Sequence, residues 1–441
     1  LRRVAGLSTE LADVTEVEYR QLRLERVVLA GVWTEGTVED AENSIRELGA
    51  LAQTAGSTVL DGVLQRRLRP DAATYLGKGK AHELRDIVLT GGADTVICDG
   101  ELSPGQRRAL EDVVKVKVID RTALILDIFA QHAKSREGKA QVELAQLQYL
   151  LPRLRGWGES MSRQAGGRVA GGEGIGSRGP GETKIELDRR RINTRMAKLR
   201  REIAEMKTGR DTKRHSRKAG HVPSVAIAGY TNAGKSSILN RITGAGVLVE
   251  NQLFATLDPT VRRAETADGR EYTLVDTVGF VRALPHQLVE AFRSTLEEVG
   301  DSDVLLHVVD GSHPDPEGQI SAVREVLASV GGDTLMEIIV INKADIAEPE
   351  VIDRLMRAHK HSVVVSARTG DGIDRLLEVV AEALPKPDVI VEVLIPYDRG
   401  DLVSRLHEYG EILESEHTEH GTRVRAKVHK HALGDLAAYQ V

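Results

Sequence analysis

Apolar runs and polar punctuation divide the chain into stretches with the periods of strands and helices. Val27-Val-Leu-Ala-Gly31 is a short apolar run of buried-strand character, residues 38–55 carry helical spacing, and Ser57–Asp61 predicts a second strand. The same reading gives a helix at Ala81–Leu89, a strand at Ala93–Asp99, a helix at Pro104–Val114 and a strand at Lys117–Asp120. Residues 24–122 therefore read as a small α/β domain behind an N-terminal extension, residues 1–23. Further on, Pro223–Ala228, Tyr272–Asp276, Ile338–Asn342 and Ser362–Val365 are apolar strand runs, and the first feeds a helix at Ser236–Ile242. Pro385-Lys-Pro387 punctuates a linker. Beyond it come a strand (Val389–Ile395), a helix (Asp401–Tyr409) and two strands around a turn (Glu411–Glu416, Arg423–Val428).

The middle of the chain has a different period. Ala140, Leu144, Leu147 and Leu151 form one coiled-coil-like seam. Ile192, Met196, Leu199, Ile203 and Met206 form another, with Ile185 one heptad earlier. Two helices with matching seams and one connection predict an antiparallel hairpin over 123–218. Its connection, residues 156–181, holds 10 glycines in 26 positions. Glycine forbids a packed core there, so a loop of this length is either disordered or functional.

Charge singles out the same region. The whole chain carries −6, yet residues 153–218 hold 19 Lys/Arg against 8 Asp/Glu, a net of +11, which leaves −17 elsewhere. A basic block inside an acidic protein is a footprint for phosphate backbone. Arg153, Arg155, Arg163, Arg168 and Arg178, with Trp157 to stack on a base, suggest an RNA-probing finger; Lys184, Arg189, Arg190 and Arg191 extend it. The competing reading is a plain hinge with a solvated basic face.

Composition adds exclusions. A single cysteine, Cys98, rules out a disulfide framework. No apolar run reaches transmembrane length and no signal-peptide core opens the chain, so a cytoplasmic protein without a membrane span is expected, and a monomer. Opening on Leu1, the chain is expected to continue upstream. Five histidines in 407–431 make no convincing metal spacing and read as surface groups. Gly77-Lys-Gly-Lys80 lacks the spacing of a phosphate loop and reads as a basic turn.

The chemistry concentrates in residues 219–386. Gly229-Tyr230-Thr231-Asn232-Ala233-Gly234-Lys235-Ser236, continuing to Ser237, has the spacing of a loop whose backbone N–H groups cradle phosphate at a helix N-terminus. Lys235 would reach the β- and γ-phosphates, and the Ser236 hydroxyl would sit on Mg²⁺. Asp276-Thr277-Val278-Gly279 closes another strand, offering a carboxylate to Mg²⁺ through water and a glycine N–H to the γ-phosphate. In Asn342-Lys343-Ala344-Asp345 the last carboxylate can accept from both N1–H and the exocyclic amine of guanine, which adenine cannot match. Ser366-Ala367-Arg368 can offer backbone N–H groups to guanine O6. Four such pieces in order, each at the C-terminal end of a strand run where open α/β sheets bind ligands, read as a guanine-nucleotide domain.

With Phe254-Ala255-Thr256-Leu257-Asp258-Pro259-Thr260, the motif Asp276–Phe280 and the stretch Gly179–Arg189, the chain resembles the HflX-type GTPases of the Obg–HflX superfamily over about residues 25–440. The fold class expected is α/β, with a P-loop domain (219–386) preceded by a small α/β domain and an antiparallel helical hairpin, and a small α+β C-terminal domain (387–441). The resemblance implies a GTPase that binds the large (50S) ribosomal subunit and its 23S rRNA, pushes the glycine-rich tip toward the peptidyl-transferase region, and splits or rescues stalled 70S ribosomes. It also implies that Thr256 joins Mg²⁺ in the GTP state, with Thr260 a second candidate. Asn232 is a candidate K⁺ ligand. Phe280 stands where many GTPases carry a water-orienting glutamine, so slow intrinsic hydrolysis is expected. A ribosome-assembly or RNA-processing GTPase, and a passive rRNA-binding factor with a structural nucleotide site, remain the alternative readings.

Overall fold

A computed structural model describes residues 26–154, 180–219, 222–244, 253–254, 260–267, 269–282, 284–292, 296, 299–385, 389–428 and 436–440. They fall into two compact units. The first holds the chain up to Ala204, and it also takes in two later segments, Asn251–Asp258 and Arg282–Phe292.

The first unit is built on a four-stranded parallel sheet of order β2-β1-β3-β4. Its strands are β1 (Arg26–Trp33), β2 (Thr58–Arg66), β3 (Thr95–Cys98) and β4 (Lys117–Asp120). Val27 to Ala30 are almost wholly buried, as expected for a strand covered on both faces. Helix α1 (Val38–Thr54) starts on a capping box, in which Thr37 accepts from the Asp40 N–H and Asp40 accepts in return. Helix α2 spans Lys78–Gly91. Helix α3 (Pro104–Val114) repeats the capping device with Ser103 and Gln106, and Pro104 sits where its missing N–H costs nothing.

Asp120 ends the sheet and begins helix α4 (Arg121–His132), and its carboxylate organises the next layer. One oxygen accepts from the Ala123 N–H at 2.9 Å and the Tyr149 hydroxyl at 2.8 Å. The other accepts from the Leu102 N–H at 3.0 Å and lies 3.4 Å from the Arg153 guanidinium. Tyr149 and Arg153 belong to helix α5 (Arg136–Arg153), whose seam residues Ala140, Leu144 and Leu147 are buried and Leu151 half-buried. The long helix α6 (Pro180–Ala219) buries Ile192, Met196 and Leu199, leaves Ile203 and Met206 half-buried, and joins α5 through a bidentate pair from Arg195 to Glu143 at 2.6 and 2.7 Å.

The two later segments dock on this framework. Phe254, at φ +60, is buried with its ring 4.5 Å from that of Phe129 on α4, and Phe129 lies 5.4 Å from Phe292. A bulky residue keeps a left-handed conformation only where its surroundings over-determine it, and the aromatic cluster does so here. The Leu253 N–H donates to Thr54, and the Arg282 N–H donates to Glu47, which pairs with Arg121 at 2.8 Å.

The second unit carries a six-stranded sheet of order β10-β9-β8-β5-β7-β6. It comprises β5 (Ser224–Gly229), β6 (Thr260–Glu265), β7 (Glu271–Asp276), β8 (Val304–Asp310), β9 (Met336–Asn342) and β10 (Ser362–Val364). All neighbours run parallel except β6, which is antiparallel to β7. The helices are α7 (Lys235–Thr243), α8 (Pro316–Ala328), α9 (Pro349–Ala358) and α10 (Ile373–Ala383). A three-stranded antiparallel sheet follows, of order β11-β13-β12, made of β11 (Val389–Ile395), β12 (Glu411–Thr418) and β13 (Gly421–Val428). Helix α11 (Gly400–Tyr409) closes its core through Leu402 and Leu406. The mixed α/β architecture around a P-loop domain is the one expected from the chain.

Candidate functional site

The parallel strands β5, β7 and β9 deliver the predicted residues to one edge of the second unit's sheet. β5 pairs with β7 on one side and β8 on the other, so its C-terminal end lies centrally. The glycines at each end of the following loop are sterically enforced. A Cβ on Gly229 would lie 2.2 Å from the Val308 carbonyl oxygen. One on Gly234, at φ +96, would lie 2.1 Å from the Asn342 amide nitrogen. Between them Asn232 adopts φ +59.

Lys235 is buried at the start of α7 and donates to the carbonyls of Gly229 at 3.1 Å and Tyr230 at 2.9 Å. Burial pulls its pKa down from 10.5 to about 8, against the opposing pull of Asp276. Ser236 donates to Asp276 at 3.1 Å. A hydroxyl beside a carboxylate is a pair of hard oxygen donors and suits Mg²⁺. Among the described residues no group of three or more His, Cys, Asp or Glu could hold a metal ion by itself, so phosphate and water oxygens would complete the sphere.

The segment after β7 lies on this loop. The Thr231 N–H donates to the Phe280 carbonyl at 2.7 Å, and the Phe280 N–H donates to the Gly229 carbonyl at 3.2 Å. Thr277 donates its hydroxyl to the Ile227 carbonyl at 2.8 Å. Val278 and Phe280 are buried.

The base-reading residues are braced as a set. Asn342 donates to the Ala233 carbonyl at 2.7 Å and accepts from the Ala367 N–H at 2.9 Å, so one buried amide ties the phosphate loop to the Ser366–Arg368 turn. Lys343, at φ +63, pairs with Asp310 at 2.6 Å. Asp345 accepts from the Ser366 hydroxyl at 2.7 Å and faces Arg368 at 2.8 Å. The Ser366 bond, helped by a backbone hydrogen bond and the Arg368 charge, holds its carboxyl below the usual range against the opposing effect of burial, so it stays an acceptor. Arg241 of α7 anchors the same turn through the Ala367 and Arg368 carbonyls.

Three residue families match this chain. One described as "GTP-binding GTPase N-terminal" covers residues 42–130, one described as "GTP-binding GTPase Middle Region" covers 132–217, and one described as "50S ribosome-binding GTPase" covers 224–343. The protein named "GTPase HflX" of Lacrimispora saccharolytica is 46% identical, over 97% of this chain and 98% of its own length. The chain belongs to the HflX GTPase family. The "GTPase HflX" of Escherichia coli is 40% identical over 92% of this chain and 93% of its own. Among solved structures, a GTP-binding protein from Sulfolobus solfataricus in complex with GDP is 24% identical, at a TM-score of 0.42, covering 81% of this chain and 98% of that one. As an HflX-family member the chain is a GTP-binding P-loop enzyme that hydrolyses GTP.

Several sequence expectations change at this level. Phe254, expected at the nucleotide, puts its ring into the aromatic cluster of the first unit. Arg153, expected to face RNA, is turned inward: it stacks 3.5 Å over the Tyr149 ring and pairs with Glu101 at 3.0 Å and Asp120. Its guanidinium is therefore committed to the interior. Arg189, Arg190 and Arg191 are exposed on α6. Arg155, Trp157, Arg163, Arg168, Arg178, the Lys184 side chain and Ala255, Thr256, Leu257 and Asp258 lie outside the described residues. Ser237 and Ala344 are half-buried beside the residues they follow. The bracing roles of Arg241, Asp310 and the Ser366 hydroxyl escaped the sequence reading, because each depends on a partner distant in the chain. Among the described residues no helix is long and apolar enough to cross a membrane.

Proposed function

We propose that this GTPase binds the large ribosomal subunit through its 23S rRNA and uses GTP as a switch to dissociate stalled or inactive 70S ribosomes. The observation that carries the reading is the pairing of a complete, internally braced guanine-nucleotide site with a +11 block in a chain of net −6. The family description "50S ribosome-binding GTPase" for residues 224–343 supports the same partner. On this reading residues 219–386 form the GTP domain, 24–122 and 123–218 the RNA-facing arm, and 387–441 a separate C-terminal domain. The protein works in the cytoplasm as a monomer.

Gly229–Ser237 and Asp276–Gly279 embrace the phosphates, Asn342–Asp345 and Ser366–Arg368 the base. Ser236 and Thr256 would hold Mg²⁺, with Asp276 reaching it through water, and the ion would supply positive charge beside the phosphates. Asn232 would hold K⁺ beside those phosphates. Lys235, now hydrogen-bonded to two loop carbonyls, turns to the phosphates when they arrive and supplies the fixed positive charge on which phosphoryl transfer depends. Intrinsic hydrolysis is slow because Phe280 cannot orient water, and the ribosome accelerates it.

Cosedimentation with 70S, 50S and 30S particles, with a non-hydrolysable GTP analogue, GDP or no nucleotide, tests this. Nucleotide-dependent pelleting with 50S and loss of 70S is expected. Selective pelleting with 30S would favour subunit assembly, and nucleotide-independent pelleting a passive RNA-binding role.

A further inference from the structure

The turn after β10 carries three backbone N–H groups that could meet a guanine oxygen, those of Ser366, Ala367 and Arg368, and two of them are engaged. The Ser366 N–H donates to the Asp371 carbonyl at 2.9 Å, and the Ala367 N–H donates to the Asn342 side chain at 2.9 Å. Only the Arg368 N–H has no acceptor among the described residues. The carbonyls of the same three residues are all held. Gly370, at φ +98, donates to the Ser366 carbonyl at 2.8 Å. Arg241 on α7 takes the other two, through Nε to Ala367 at 2.9 Å and through a terminal nitrogen to Arg368 at 2.5 Å.

This pattern fixes a direction. The Ala367 carbonyl and the Arg368 N–H belong to one planar trans peptide unit, so they point to opposite sides of the chain. A guanidinium that holds the carbonyl from α7 therefore turns the N–H away from α7. The bond from a cation also polarises the peptide unit and strengthens its N–H as a donor. Arg368 is at the same time the residue whose side chain faces the Asp345 carboxylate at 2.8 Å, and Ser366 donates to that carboxylate at 2.7 Å. The one N–H left to donate thus sits in the turn that steadies the base-reading carboxylate.

We propose that Arg241 is a specificity-determining positioning residue of this enzyme: by holding the Ala367 and Arg368 carbonyls it aims the Arg368 N–H at guanine O6. The inference rests on the reading of Ser366–Arg368 as a turn that meets the base. Arg241 acts through the turn and need not touch the nucleotide. Because α7 begins at Lys235 and Ser236, a single helix then serves the phosphates at its first turn and the base through its last.

The test compares GDP with 6-thioguanosine diphosphate, in which sulfur replaces O6 while N1–H and the exocyclic amine are kept; sulfur is the weaker acceptor. Displacement of a fluorescent GDP analogue from the full chain gives both affinities for wild type, Arg241→Ala and Arg241→Lys. Wild type is expected to prefer GDP by roughly 3- to 10-fold, the range for one hydrogen bond. Arg241→Ala is expected to lose about that factor for GDP and to stay within about twofold for the thio analogue, so the preference collapses. Arg241→Lys keeps the charge but cannot fork across two carbonyls, and is expected to change in the same direction by a smaller factor. Equal affinities in wild type overturn the reading of the turn and the proposal with it. A preference that survives in both variants overturns the proposal alone. So does an equal loss for both ligands, which assigns Arg241 to the fold of the turn and not to O6.

Discussion

Replacing Asp345 with asparagine tests the base-reading site at the one atom that distinguishes it. In the native site the Ser366 hydroxyl donates to one carboxylate oxygen at 2.7 Å, and Arg368 faces the other at 2.8 Å. An amide that keeps its oxygen toward Ser366 retains the hydrogen bond that the hydroxyl donates. That orientation turns the new NH₂ toward Arg368 and toward guanine, both of which present only donors there. The variant thus loses two charge-assisted hydrogen bonds to N1–H and the exocyclic amine, each worth roughly tenfold or more. GTP affinity is expected to fall on the order of 100-fold. Xanthosine triphosphate carries an acceptor in place of the exocyclic amine and should gain on GTP by a similar factor. Titration with fluorescent GTP and xanthosine triphosphate analogues measures both changes. Equal GTP affinity in wild type and variant would refute the assignment of Asp345 and of the turn that orients it.

If Asn232 holds K⁺ beside the phosphates, GTP hydrolysis should be several-fold faster in potassium than in sodium buffer of equal ionic strength, and Asn232→Ala should erase the difference; identical rates in wild type rule the ion out. Glu337 is drawn down from its ordinary 4.5 to about 2: burial opposes the shift, and the bonds from His307 and Arg324 outweigh it. Burial likewise lowers His307. Both groups bind fewer protons folded than unfolded, so they stabilise at neutral pH, and that stability is lost as pH falls, below about 6.5 for His307 and from 4.5 toward 2 for Glu337. Glu337→Gln should therefore remove at most about 2 kcal/mol of the stability difference between pH 7 and pH 3, read by urea unfolding; an unchanged pH dependence contradicts the pairing. Phe129→Ala removes the centre of the Phe254–Phe129–Phe292 cluster and should cost about 3–5 kcal/mol of first-unit stability, which differential scanning calorimetry would detect as a lowered transition.

Much of the fold was legible because local signals and tertiary demands agree. Pro104–Val114 and Lys117–Asp120 fall where the pattern put them, since the capping box and the two-sided burial of the strand are local properties. Strand Val304–Asp310 and the helices Pro316–Ala328, Pro349–Ala358 and Ile373–Ala383 were passed over, although Val304-Leu-Leu-His-Val-Val-Asp is an apolar run as readable as its neighbours. The phosphate loop and Asn342–Asp345 were legible because phosphate and guanine dictate residue types at fixed spacing. Arg153 was misjudged for the opposite reason. An arginine at the edge of a basic, glycine-rich stretch looks solvent-facing until Asp120, Glu101 and Tyr149, remote in sequence, close around it.

The division of the chain bears directly on how a nucleotide could be sensed. Val281 groups with the second unit and Arg282, the next residue, with the first. On one side of that junction Phe280 is held to Gly229 and Thr231 of the phosphate loop. On the other side the Arg282 N–H is held by Glu47, which pairs with Arg121; Arg121 also pairs with Asp99 at 2.8 Å. Arg121 follows Asp120, whose carboxylate binds Tyr149 and Arg153 at the end of α5. Any rearrangement at the phosphates that displaces Phe280 by more than two peptide units can absorb must therefore either break the Arg282–Glu47 bond or move Glu47 with it. Losing the Arg282 N–H bond leaves the Arg121–Glu47 and Arg121–Asp99 pairs intact, whereas moving Glu47 disturbs a buried ion pair, so the bond to Arg282 is the contact that yields first.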